Sequence, residues 1–248
     1  MELNGAYYCS RCMREMEDDG ICPHCGLDND IIENNAPALE MYTLLENRYQ
    51  LGSVIGSGGF GITYAAWDEK LWIPVAVKEY YPKEWVMRDC SVTDEITVRQ
   101  EFQREYLIGK ERFVRESRVL AMLQEIPGIV KVYDSFEENQ TAYIVMEYVH
   151  GVTIDQYVKE QGLHHGKILQ MMRQLVDALA AVHRQGVLHR DITPQNILVQ
   201  GDGSVKLIDF GAAARIGQQG STIILTQYYA PIEQYDRDNG RLGPWTDV

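Results

Sequence analysis

Apolar residues gather in short runs at 49–55, 62–67, 72–79, 130–136 and 142–147, and each run predicts a β-strand. Inside the third, the stretch IPVAV at 73–77 ends at Lys78, which sets one ammonium at the end of an apolar strand. The period then changes. Phe113, Ser117, Leu120 and Leu123 recur at helical spacing, and 97–123 reads as a helix that turns them inward. The longest predicted helix covers 167–185, where Ile168, Met171, Leu175, Leu179 and Val182 form one apolar face that reads as core. His164, His165 and His183 nearby read as ordinary residues rather than ligands. Residues 28–48, DNDIIENNAPALEMYTLLENR, read as a linker whose later half packs as a short helix.

Composition narrows the class. At 248 residues and 45% hydrophobic, the chain is long enough for one large domain and one small one. A net charge of −13 argues against DNA, RNA or an anionic membrane surface as a general partner. No run of about 18 apolar residues occurs, so no segment of this chain is expected to span a bilayer. The first residues, MELNGAYYCS, have neither the basic start nor the apolar core of a signal peptide.

The cysteines carry the first chemical signal. Cys9 and Cys12, then Cys22 and Cys25, form two CxxC pairs in which each half closes as a tight knuckle, with Gly26 after the second. Four thiolates at that spacing suit tetrahedral Zn²⁺, which makes residues 1–27 a zinc ribbon too short to fold on apolar burial alone. His24 reads as a turn residue and Cys90 as a structural thiol. Residues 1–48 hold ten Asp or Glu against three Arg, the wrong sign for nucleic acid. A protein partner, or support of folding, fits the ribbon better.

Five further signatures follow in a fixed order: GSGGFG at 56–61, VAVK ending at Lys78, Glu116 in the helical run, HRDITPQN at 189–196 and DFG at 209–211. Transfer of a phosphoryl group rests on gripping and neutralising its charge. Gly56, Gly58, Gly59 and Gly61 lack a Cβ, which lets backbone amides come down over phosphate oxygens. Lys78 can reach the α- and β-phosphates, and Glu116 supplies the anion that holds it.

With GGFGITYAAWD, VAVKEYYPKEWVMR, HRDITPQNILV and YYAPIEQY, the chain resembles the eukaryotic-like serine/threonine protein kinases of bacteria over about residues 49–248, in a subgroup that often carries a zinc ribbon ahead of the kinase domain. The resemblance implies an α+β, bilobal protein-kinase fold, with an N-lobe over 49–146 and an incomplete C-lobe over 151–248. It implies ATP and Mg²⁺ as cofactors and protein hydroxyls as substrates. Asp191 becomes the base, Asp209 and Asn196 the magnesium ligands, and Met146 the gatekeeper. Glu147 to Val149 become the segment whose backbone binds adenine, with Thr63 and Ala76 beside the ring. Dependence on ATP implies the cytoplasm, where thiols stay reduced, so the disulfide alternative for the four cysteines is weaker than zinc.

Departures from the family pattern keep a second reading open, a nucleotide-binding pseudokinase or interaction scaffold. Thr193 stands where these kinases usually carry lysine, and Thr226 where some relatives supply one instead. The usual APE reads PIE at 231–233, with Ile232 in place of proline. Arg190 suggests control through a phosphate on Ser221 or Thr222, whereas Thr226 matches a structural threonine. The resemblance also makes WTDV at 245–248 the start of a long buried helix, with Asp247 holding the catalytic-loop backbone. The 248 residues are then expected to be a fragment, with Glu233 deprived of an arginine partner and the apolar face of 167–185 uncovered.

Overall fold

The computed structural model describes residues 1–3, 5–18, 20–162, 164–215, 229–235 and 242–248. The chain forms two compact units, Met1–Ser117 with Val132–Tyr148, and Arg118–Lys131 with Val149–Val248.

The first unit opens with a three-stranded antiparallel sheet of β1 (Glu2–Leu3), β2 (Ala6–Tyr8) and β3 (Glu15–Met16). Its main sheet uses β4 (Leu44–Leu45), β5 (Tyr49–Ser57), β6 (Gly61–Asp68) and β7 (Ile73–Tyr80). A small ladder, β8 (Val86–Met87) with β9 (Thr97–Val98), precedes α1 (Gln103–Leu123), whose residues from Arg118 onward are counted in the second unit, and β10 (Val132–Glu138) and β11 (Thr141–Glu147) complete the sheet. The main sheet runs β10-β11-β7-β6-β5-β4, antiparallel at every step. β11 is buried from Thr141 to Met146, as a central strand covered on both faces must be, whereas β10 alternates between half-buried and exposed.

Two expectations for this unit are corrected. The helix expected over 97–123 begins only at Gln103, because Thr97 and Val98 pair with Met87 and Val86. The short helix expected in the later half of 28–48 is an edge strand: Leu44 and Leu45 pair with Gln50 and Tyr49. Between them Glu46 and Asn47 take φ of 51° and 49°, the consecutive left-handed residues that reverse a tight hairpin and that no helix accommodates.

The cysteine segment is packed on the main sheet. Met1 and Met13 form one buried cluster with Ala65 and Trp67, with Tyr8 and Tyr148 against it, and the Tyr8 and Trp67 ring centroids lie 4.6 Å apart. The Ser53 amide donates to the Ser10 carbonyl at 2.8 Å. Gly52 permits this approach, since a Cβ there would lie 2.2 Å from the Ser10 oxygen. Residues 28–48 are also tied down: the Leu39 amide donates to the Tyr64 hydroxyl at 3.0 Å, and the Asn34 side chain bridges Leu39, Gly52 and Val54.

The second unit contains β12 (Gly151–Thr153), α2 (Ile154–Gln161), α3 (His165–Arg184), β13 (Val187–Leu188), β14 (Ile197–Gln200), β15 (Val205–Leu207) and β16 (Ala214–Arg215). Its sheets are β12-β14-β15 and β13-β16. The apolar face expected to lose its cover is buried: Met171, Leu175, Leu179 and Val182 of α3 pack toward β13 and β15. Three other large apolar residues of α3, Leu169, Met172 and Val176, are exposed on the flank of that face. Among the described residues no helix is long and apolar enough to cross a membrane.

Candidate functional site

In the first unit the β5–β6 turn closes through the Gly58 amide on the Gly61 carbonyl at 2.9 Å. Gly61 is dictated by the sheet, because a Cβ there would lie 2.7 Å from the Glu79 carbonyl oxygen. Gly58 and Gly59 face open space, so no protein atom forbids a side chain at either position. Phe60 at the tip is 65% exposed, 5.9 Å from the Trp85 ring and edge-on to it.

Lys78 meets Glu116 of α1 at 3.3 Å, with side chains 16% and 5% exposed. The ladder fixes the neighbours of this pair. Lys78 stands opposite Thr63 and Ile144, and Ala76 opposite Ala65 and Met146. Partners across a ladder share a face and successive residues alternate. Thr63, Ala76, Lys78 and Met146 therefore line one face, and Trp67, opposite Pro74, continues it. Glu147, opposite Val75, ends β11, and Val149 belongs to the second unit.

The other face of β7 carries a polar network that the sequence did not reveal. Arg88, from the insertion after β7, pairs with Glu79, and both side chains are fully buried. Tyr64 and Tyr143 donate to the same carboxylate at 2.9 and 3.1 Å, and Arg88 also donates to the carbonyls of Pro37 and Asp94. Burial and the Glu79 charge push both tyrosine hydroxyls far above their ordinary pKa. The 38-residue separation of Lys78 and Glu116 is thus partly occupied by a hairpin that supplies a counter-ion to the strand it follows.

In the second unit, Asn196 donates from Nδ2 to the Asp191 carbonyl and to Asp191 Oδ2, both at 2.9 Å. The segment before Asp209 is stitched to this loop by the Ile208 amide on the Asn196 carbonyl at 2.9 Å. Asp209 takes a φ of 63° and accepts from the Gly211 amide at 3.1 Å. Asp247 collects the amides of His189 at 2.8 Å and Arg190 at 2.6 Å, and lies 2.8 Å from His183 Nε2. His189 is wholly buried, and that burial holds its pKa below the ordinary histidine value against the pull of Asp247, Asp209 and Asp191.

Thr193 is buried beside this loop, and Arg190 donates from Nε to the Ala212 carbonyl at 2.6 Å. Ile232 is 87% exposed, while Glu233 accepts from the Thr246 hydroxyl at 3.2 Å. Ser221, Thr222 and Thr226 lie outside the described residues.

The sulfurs of Cys9, Cys12, Cys22 and Cys25 lie within 4.8 Å of one another, with Cys9–Cys25 and Cys12–Cys22 at 3.6 Å. Sulfurs about 2.3 Å from one tetrahedral centre are about 3.8 Å apart, so the donor set fits Zn²⁺. Both knuckles turn through the left-handed region just after their second cysteine, at Met13 and Gly26, with φ of 55° and 70°. Burial and the neighbouring sulfurs raise the thiols of Cys12 and Cys25. Burial raises Cys22, but amide donation from His24 and Cys25 together with the neighbouring Cys12 and Cys25 sulfurs more than offsets it, and the thiol is lowered. Asn29, assigned from sequence to the linker, accepts from the Ser10 amide and hydroxyl and donates to the Gly20 carbonyl, tying the two knuckles together.

Comparison with known proteins agrees with this geometry. The family model of the protein kinase domain matches residues 49–248. The serine/threonine-protein kinase PrkC of Bacillus subtilis is 37% identical over 173 residues, covering 69% of this chain and 24% of that protein. The probable serine/threonine-protein kinase PknB of Bifidobacterium longum is 35% identical over 215 residues, covering 83% and 28%. This chain thus spans about a quarter of the length of these curated relatives. A solved structure of PpkA-294 in its apo form superposes with a TM-score of 0.73 at 31% identity, covering 85% of this chain and 74% of that one.

Proposed function

The chain belongs to the protein kinase domain family, and we propose that it transfers the γ-phosphate of ATP to serine or threonine hydroxyls of proteins. The observation that carries this reading is the Lys78–Glu116 pair at 3.3 Å, with Glu116 buried and Lys78 half-buried, the arrangement that kinases need in place for transfer. Lys78 binds the α- and β-phosphates, and the open space at Gly58 and Gly59 suits close backbone approach to the phosphates. Met146, Glu147 and Val149 hold adenine, with Ala76 and Thr63 beside it. Asp191 takes the proton of the acceptor hydroxyl, its carboxylate oriented by Asn196 Nδ2.

Asp209 and Asn196 are the residues that would hold Mg²⁺. The donor half of the Asn196 amide is engaged by Asp191, and what remains is a carbonyl oxygen, the hard donor that magnesium prefers. When bound, the ion neutralises charge on the phosphates. Cys9, Cys12, Cys22 and Cys25 hold Zn²⁺ as a structural crosslink, and dependence on ATP assigns the chain to the cytoplasm.

The test is ATP-dependent phosphate incorporation by the full chain, with Asp191→Asn as control. Incorporation that the control does not diminish would refute the assignment of Asp191. Buried Thr193, in place of lysine, favours a second reading in which nucleotide binds without transfer. ATP binding in calorimetry with no incorporation would establish that reading instead.

A further inference from the structure

We infer that the cysteine ribbon is a built-in wall of the adenine end of the nucleotide site, with Tyr148 as a positioning residue through which metal loading sets nucleotide affinity. The inference rests on the nucleotide site proposed above, and its first observation is the register of β6. Thr63, Ala65 and Trp67 occupy successive positions on one face, opposite Lys78, Ala76 and Pro74. The row that begins at the phosphate-binding lysine therefore runs through the adenine-facing Ala76 row and ends at Trp67. Met1 and Met13 of the ribbon cover Ala65 and Trp67, so the ribbon borders the adenine row on the face that carries the cation.

The second observation is polar and concerns the first knuckle alone. Ser10 and Arg11 are the two residues between the ligands Cys9 and Cys12, and both of their carbonyls are used outside the ribbon. Ser10 O accepts from the Ser53 amide of β5 at 2.8 Å, and Arg11 O accepts from the Tyr148 hydroxyl at 2.7 Å. Tyr148 directly follows Met146 and Glu147. The backbone that binds adenine is thus anchored by its next side chain to a loop whose shape is fixed by two metal ligands. A knuckle without metal loses the constraint that aims both carbonyls, because ligation holds Cys9 and Cys12 on one centre.

The test measures ADP binding to the full chain by calorimetry, zinc-loaded and after chelation and dialysis, alongside zinc content. Metal removal is expected to weaken ADP by about tenfold, and added zinc to restore it. Tyr148→Phe is expected to keep its zinc and its fold yet weaken ADP by about fivefold, because the nucleotide must then order a segment that is no longer anchored beforehand. The corresponding kinetic change falls on KM for ATP rather than on kcat. Unchanged ADP affinity in zinc-loaded Tyr148→Phe overturns the proposal even if the metal-free chain fails to fold. Absence of bound zinc also overturns it. ADP binding that is tight and indifferent to zinc refutes this coupling alone, whereas a zinc-loaded chain that binds no ADP refutes the nucleotide-site reading itself.

Discussion

Arg88→Met is the sharpest probe of what holds β7 in place. The substitution keeps an unbranched side chain of similar reach but removes the guanidinium, which donates to both oxygens of Glu79 and to the carbonyls of Pro37 and Asp94. Glu79 is left fully buried with two tyrosine hydroxyls and no cation. Breaking a buried ion pair from one side costs about 3–5 kcal/mol, a large part of the roughly 5–15 kcal/mol that a domain possesses. Adding Glu79→Gln removes the stranded charge while keeping a carbonyl for the tyrosines, so the double variant should recover about 2 kcal/mol of the loss. Urea unfolding followed by circular dichroism measures each corner of the cycle. An Arg88→Met chain within about 1 kcal/mol of the native one, or a double variant less stable than the single, would refute the reasoning.

Lys78→Ala and Asp209→Ala should each abolish or severely weaken productive Mg-ATP engagement, and calorimetry that cannot tell them from the native chain would contradict the proposed roles. Because burial lowers the pKa of His189, the unfolded chain binds a proton there that the folded chain does not. Stability should therefore fall as pH drops below about 6.5; unfolding free energies that stay flat or rise from pH 7 to 5.5 would falsify this. Chelation should uncover Trp67 as the ribbon loosens, read as a red shift in tryptophan emission that Trp67→Phe removes. A spectrum unmoved by zinc removal would count against metal-dependent packing of Met13 on that ring.

The main strands and α3 were legible because their burial follows simple periods. The apolar run ending at Lys78 and the face of Met171, Leu175, Leu179 and Val182 both answer to a local rule. The signatures at Lys78, Glu116, Asp191, Asn196 and Asp209 stand out in the sequence for a different reason, their fixed order, and the structure brings Lys78 to Glu116 and Asn196 to Asp191. What escaped depends on distance in sequence or on backbone shape. LLEN at 44–47 is rich in helix formers, and only the left-handed pair Glu46 and Asn47 makes it a hairpin. Arg88 finds Glu79 through an insertion whose hairpin has strands of two residues, too short to carry a period. Asn29 and Tyr148 reach Ser10 and Arg11 across 19 and 137 residues, which no local pattern announces.

The packing ahead of β5 bears on where this molecule can be cut. Similarity to the family starts at Tyr49, and that residue invites use as the first residue of an isolated catalytic piece. Trimming there would strip Leu39 from the Tyr64 hydroxyl, Pro37 from Arg88, and Asn34 from Val54. It would also bare Trp67 and Ala65 to water. The border of resemblance and the border of the folding unit are therefore different positions in this chain, and the second lies upstream of the first.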